Sequence, residues 1–217
     1  MAFNKAYELP IDGIECDLGI TKDLEPVIFH DSFLKRLCGV SGRLEDTSWK
    51  ELRSLRVFGK EPICHLDDLL ATHQKGILNI EIKLTARGPE LLSQLARRLE
   101  SIHYREKILI SSFSPALLQQ AHRNLSKGLK YALIFDRFEE RKVKAMESCP
   151  WITQWNVRAS SVLNAHPLDT TPSHRSRDLW LWTVNDEGSW RRAQQHPAKI
   201  CGIFTDFPDL LAKFLSA

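Results

Sequence analysis

Two acids two residues apart, Glu15 and Asp17, a histidine at position 30, and an acid and a lysine two residues apart, Glu81 and Lys83, stand in or beside otherwise apolar segments. Charged side chains in apolar strands are costly to bury without a partner. Side chains repeat every two residues along a strand, so Glu15 and Asp17 share a face, and Glu81 and Lys83 do too. Three hard carboxylates, an imidazole and an ammonium brought together point to a divalent metal site that handles a phosphate ester. Mg2+ and Ca2+ both accept all-oxygen ligands, and the residue types do not choose between them.

These residues need elements that make them converge. The connection from the strand at Glu15 to His30 is too short for a helical crossover. The segment Thr21-Lys22-Asp23-Leu24-Glu25-Pro26 is therefore expected to turn the chain back as a hairpin. If the turn centres between Asp23 and Leu24, Asp17 faces His30 and Glu15 faces Ser32, with facing residues on one side of the hairpin. A slip of one residue would spoil that opposition.

Strand-type and helical patterns alternate along the rest of the chain. Strands are predicted at Gly13 to Ile20, Pro26 to His30, Ile77 to Lys83, Ile108 to Phe113, Tyr131 to Phe135, Ile152 to Val157, Leu179 to Val184 and Gly202 to Thr205. Helices are predicted at Thr47 to Leu55 (with Thr47 or Ser48 as N-cap), Leu66 to His73, Glu90 to Ser101, Pro115 to Leu125, Glu139 to Glu147, Ser160 to Leu163, Gly188 to Gln195 and Pro208 to Leu215. The stretch Asn164 to Asp178 reads as a long loop at a barrel rim. Serial strand-helix units imply a parallel α/β fold, here a (β/α)8 TIM-type barrel, with a doubly wound sheet as the runner-up. With the hairpin's return strand outside the ring, the predicted strands number seven where a closed barrel of this type has eight. The start, Ala2 to Leu9, reads as the tail of a helix, so a first strand and most of a first helix are expected to be absent.

The 217 residues suffice for one substantial domain, and residues 1–217 are read as a single barrel domain. A net charge of +3 without a dense basic run does not favour nucleic acid as a partner. No apolar run is long enough to span a bilayer and no leader pattern follows Met1, so the chain reads as cytoplasmic. The five cysteines, Cys16, Cys38, Cys64, Cys149 and Cys201, are scattered and read as buried free thiols. By strand alternation Cys16 points away from its flanking acids and is read as packing.

In this order and spacing the motifs resemble the glycerophosphodiester phosphodiesterase family of phospholipase-C-like barrels, nearly end to end. They are Gly13-Ile14-Glu15-Cys16-Asp17-Leu18, Thr21-Lys22-Asp23 and Val27-Ile28-Phe29-His30-Asp31, then Leu34, Arg36 and Gly39. Further on come Asn79-Ile80-Glu81-Ile82-Lys83, Ser111-Ser112-Phe113, Trp182-Thr183-Val184-Asn185 and Gly202-Ile203-Phe204-Thr205-Asp206-Phe207-Pro208. The resemblance implies a metal-dependent hydrolase that cleaves glycerophosphodiesters, small-molecule substrates, to glycerol 3-phosphate and an alcohol. It implies Glu15, Asp17 and Glu81 as ligands to Mg2+ or Ca2+, His30 as one of two catalytic histidines, and Lys83 as a phosphate-neutralising cation. Phe113 and Trp182 would line the pocket for the organic part of the substrate, although Trp182 could equally be core. The family's His-Arg-Gly and Glu-Asn-Thr motifs are absent, which removes the second histidine and an arginine. The alternative is thus a catalytically inactive, N-terminally shortened barrel with residual metal or phosphate binding. Asp31 is read as holding His30 or the turn. Asn185 and Asp206 stay open between rim support and substrate contact. Ser111 and Ser112 lack a nucleophile elbow, and a sugar-isomerase-type metal site would need more histidines at strand ends.

Overall fold

The computed structural model describes residues 2–73, 75–125, 127–137, 139–147, 149–164 and 177–216. Residues 165–176, most of the expected rim loop, lie outside the described residues. The strands are β1 (Gly13–Ile20), β2 (Pro26–Ile28), β3 (Arg56–Val57), β4 (Glu61–Pro62), β5 (Cys64–His65), β6 (Ile77–Ile82), β7 (Ile108–Ser112), β8 (Lys130–Phe135), β9 (Ile152–Arg158), β10 (Asp178–Trp182) and β11 (Ile200–Ile203). Nine of them form one sheet in the order β11-β10-β9-β8-β7-β6-β1-β2-β5. Seven, β1 and β6 to β11, run parallel, each to its neighbour, while β2 is antiparallel to β1 and β5 to β2. Among the described residues no ladder joins β11 to β1.

Alternation explains the layers. On β1 the even positions Ile14, Cys16, Leu18 and Ile20 are buried, whereas Glu15 and Asp17 on the other face are not. The even face belongs to a core that includes Leu91, Leu92, Leu95 and Leu99 of the helix Gly88–Leu99. Fully burying such a leucine contributes about 1.5–3 kcal/mol. Gly13 starts β1 opposite Ile77 because nothing larger fits: a Cβ there would lie 2.4 Å from the Ile77 carbonyl oxygen.

The hairpin forms where expected, but its register is one residue off. The ladder pairs Leu18 with Ile28 and Ile20 with Pro26, so Phe29 rather than His30 lies opposite Asp17, and its N–H donates to the Asp17 carbonyl at 2.9 Å. The cause is an odd, three-residue loop. Thr21 N–H bonds the Glu25 carbonyl at 3.0 Å, and Leu24 takes a left-handed φ of 66°. Ser32, expected opposite Glu15, instead accepts from the Leu44 N–H at 3.0 Å.

Between β2 and β5 the chain builds a small second core from Val27, Phe29, Leu34, Leu44, Leu52 and Ile63, closed by the β3–β4 hairpin. The predicted helix there shrinks to Trp49–Leu52, where Ser48 and Glu51 form a reciprocal capping box. Strands β2 and β10 end earlier than expected, and β11 begins and ends earlier. All five cysteines are free, but the expectation of burial fails for three. Cys38 and Cys64 are half-buried, and Cys201 is exposed on β11, the last strand of the sheet.

Candidate active site

The parallel β1–β6 ladder places Asp17 beside Glu81 and Glu15 beside Asn79. Neighbouring side chains on one face of parallel strands converge. One carboxylate oxygen from each of Glu15, Asp17 and Glu81 lies within 4.8 Å of the other two. Oxygens that share a Ca2+ ion at about 2.3–2.6 Å are at most about 5 Å apart, so the spacing and the all-oxygen donor set suit a hard divalent cation. The electrostatics point the same way. Burial, partly offset by Lys83, leaves Glu81 with its pKa raised to about 7, Asp17 adding to the rise. Glu15 stays open to the cleft, yet the surrounding wall and then the Asp17 and Glu81 charges push its pKa upward. The field around Glu15 and Glu81 favours positive charge placed among them.

Lys83 continues the Glu81 face just past β6. Its Nζ lies 2.7 Å from Asp17 Oδ1 and donates to the His30 carbonyl at 2.8 Å. The carbonyl bond ties the hairpin's far arm to the acid cluster, and so His30 reaches the same cleft despite the shifted register. The His30 ring is 63% exposed, with Nδ1 2.7 Å from Asp31 Oδ1. Arg36 clamps Asp31 from the other side, with Nε donating to Oδ2 at 2.7 Å and a terminal nitrogen to Oδ1. The Arg36 hydrogen bonds, and secondarily His30, lower the Asp31 pKa to about 2. Asp31 thus holds the ring, one of the two roles foreseen for it.

The cleft, about 1770 Å³, is lined by Glu15, Asp17, His30, Glu81 and Lys83 on one side and by Phe113 and Trp182 on the other. The Phe113 and Trp182 rings meet edge to face at 5.6 Å. Cys16 is turned away from the acids as alternation requires, its Sγ 3.7 Å from the Asn79 carbonyl oxygen. Asn185 donates to Asp206 at 2.7 Å and accepts from the Asp206 N–H at 2.9 Å, a contact that braces the ends of β10 and β11. Sequence reasoning missed Asp136 and Arg158, which also line the cleft, and a buried polar layer in its wall. In that layer Ser111 donates to Asn79 at 2.8 Å and Gln154 to Asn156 at 2.7 Å. For the layer the signal was available: Gln154 and Asn156 alternate with the apolar Trp155 and Val157 along β9.

Among known proteins, the chain is similar to the glycerophosphodiester phosphodiesterase of Caldanaerobacter subterraneus subsp. tengcongensis, 26% identical over 97% of this chain and 88% of the relative. It is also similar to the human lysophospholipase D GDPD1, 25% identical over 99% of this chain and 80% of the relative. An Oleispira antarctica phosphodiesterase in complex with the product sn-glycerol-3-phosphate superimposes with a TM-score of 0.85 at 18% identity, covering 98% of this chain and 88% of the other. A glycerophosphodiester phosphodiesterase from Thermotoga maritima superimposes at 0.72 with 25% identity, covering 97% and 88%. The sequence profile of the Glycerophosphoryl diester phosphodiesterase family matches residues 1–210, and the chain belongs to that family.

Proposed function

We propose that this chain is a single-domain phosphoric diester hydrolase that converts glycerophosphodiesters to glycerol 3-phosphate and an alcohol, with Mg2+ or Ca2+ held by Glu15, Asp17 and Glu81. The observation that carries the reading is the convergence of those three carboxylates from two adjacent strands, with the Lys83 ammonium beside them. When bound, the cation would act as a Lewis acid toward the non-bridging phosphate oxygens. Lys83 has three N–H donors, of which Asp17 and the His30 carbonyl engage two, and the third is left for phosphate charge. Asp31 occupies His30 Nδ1, which leaves Nε2 to protonate the departing alkoxide. Phe113 and Trp182 pack the organic part of the substrate. Unpaired cysteines fit the reducing cytoplasm, where we place the protein, and among the described residues no helix is long and apolar enough to cross a membrane.

A second reading, an inert barrel with residual metal and phosphate binding, draws support from one observation. Among the described residues His30 is the one histidine lining the cleft, so no second imidazole stands there as its partner acid or base. Such a group contributes roughly 10²–10⁴-fold to rate. The two readings separate in one assay, hydrolysis of glycerophosphocholine, glycerophosphoinositol and glycerophosphoglycerol with added Mg2+ or Ca2+. Metal-dependent release of glycerol 3-phosphate that disappears in Glu81→Ala supports the hydrolase. Equal release by the variant refutes the ligand role, and no release by either form supports the inert barrel.

A further inference from the structure

Across the mouth from the acids, Arg158 and Trp182 are lateral neighbours at the ends of β9 and β10. The Arg158 guanidinium lies over the Trp182 ring, its Cζ 4.4 Å from the ring centroid. Asp136, just past β8, fixes it there: Arg158 Nε donates to Asp136 Oδ1 at 2.9 Å and a terminal nitrogen donates to the same oxygen. The Ser161 hydroxyl donates to the Asp136 carbonyl, and Trp182 Nε1 to the Asn156 carbonyl at 3.2 Å, so both sides of the pair are anchored.

Two consequences follow from this geometry. An indole face is the best protein surface for a quaternary ammonium. Here a cation of the protein's own already covers one face of the Trp182 ring, so that face is closed to a choline-type group. Because both guanidinium contacts fall on Oδ1, Asp136 Oδ2 is left as an acceptor and Arg158 Nη1 as a donor with no protein partner among the described residues. An acceptor and a donor beside aromatic walls suit adjacent hydroxyls on a short carbon skeleton.

We infer that Asp136, Arg158 and Trp182 form a subsite that binds a neutral polyhydroxyl group of the substrate and disfavours a quaternary ammonium. The inference rests on the phosphodiester reading for the class of ligand only. The hydroxyls could come from the glycerol end of the diester or from a polyol leaving group.

The test is calorimetric titration in Ca2+ with three phosphomonoesters that have no diester bond to break: sn-glycerol 3-phosphate, myo-inositol 1-phosphate and phosphocholine. At least one polyol ester should bind about tenfold tighter than phosphocholine, the scale of one hydrogen bond to a charged group, and Arg158→Gln should erase the difference. If the variant weakens only the glycerol ester, the subsite serves the glycerol end. If it weakens the inositol ester, the subsite serves the leaving alcohol. Arg158→Lys keeps the charge but loses the fork and should also lose the preference, which a purely electrostatic role would retain. Equal binding of all three esters by the wild type, no binding of any, or an unchanged ranking in Arg158→Gln overturns the inference. The ranking reads binding alone, so a chain that ranks the esters as expected yet hydrolyses no diester would count against the hydrolase reading and leave this one standing.

Discussion

Lys83→Met isolates the cation that nature has placed among the acids. Lys83 Nζ lies 2.7 Å from Asp17 and 2.8 Å from the His30 carbonyl, and the Lys83 and Asp17 side chains are 34% and 16% exposed. Exposed ion pairs contribute about 0.2–1 kcal/mol, and breaking a fully buried one costs about 3–5 kcal/mol. This half-buried pair falls between, at about 1–2 kcal/mol, and the bond to the His30 carbonyl adds about 0.5–1.5 kcal/mol, so the metal-free variant loses about 1.5–3.5 kcal/mol in all. For a chain of this size each kcal/mol moves Tm by roughly 2–4 °C, so Lys83→Met should unfold about 3–14 °C below wild type in EDTA. In saturating Ca2+ the bound cation offsets the carboxylates directly. The deficit should then shrink toward the loss of the single bond to the His30 carbonyl, about 0.5–1.5 kcal/mol. Thermal unfolding followed by circular dichroism, with and without Ca2+, reads both numbers. The reasoning is refuted if the variant's deficit is the same in EDTA and in Ca2+, for then Lys83 would be a tether for the hairpin and not a counter-charge for the acids.

Asp31 should make the fold acid-sensitive in a defined window. Its pKa is lowered from the ordinary 3.8 to about 2, chiefly by Arg36, so the stability it contributes is complete above about 4 and lost as pH falls through about 2. In Arg36→Met a carboxyl-detected NMR titration should show Asp31 moving back toward the ordinary range, and the unfolding curve should flatten between those two pH values. Gly13→Ala should force β1 away from β6, because the added Cβ meets backbone at 2.4 Å; overpacking of this kind costs about 1–3 kcal/mol, and both Tm and Ca2+ affinity should fall together. A variant that lost neither would show that the strand start is not what positions Glu15 and Asp17.

Much of the architecture was legible because each element carried its own period. Glu15 and Asp17 on β1, and Glu81 and Lys83 on and just past β6, stood out as charges in apolar alternation, and the two strands are neighbours in the sheet. The hairpin register was not legible. A left-handed residue is usually glycine or asparagine, and nothing about leucine announces that Leu24 will adopt it. One extra loop residue therefore moved His30 off the position facing Asp17, and the Lys83–His30 backbone bond recovered the proximity by another route. The small core between β2 and β5 was invisible for a different reason. Leu34, Leu44, Leu52 and Ile63 are too widely spaced to make a local pattern, and only the fold assembles them. Arg158 and Asp136 were overlooked because an arginine at a strand end reads as ordinary surface until its partner is known.

The buried polar layer on the cleft face of the sheet limits how this sequence can drift. Ser111 and Asn79 satisfy each other across neighbouring strands, as Gln154 and Asn156 do along one, and all four are buried. Changing one member to an apolar residue strands its mate at a cost of about 1–3 kcal/mol, whereas changing both together can be nearly neutral. Single-step substitution at these positions is thus a valley, and descendants of this protein would keep each couple intact or replace it as a unit.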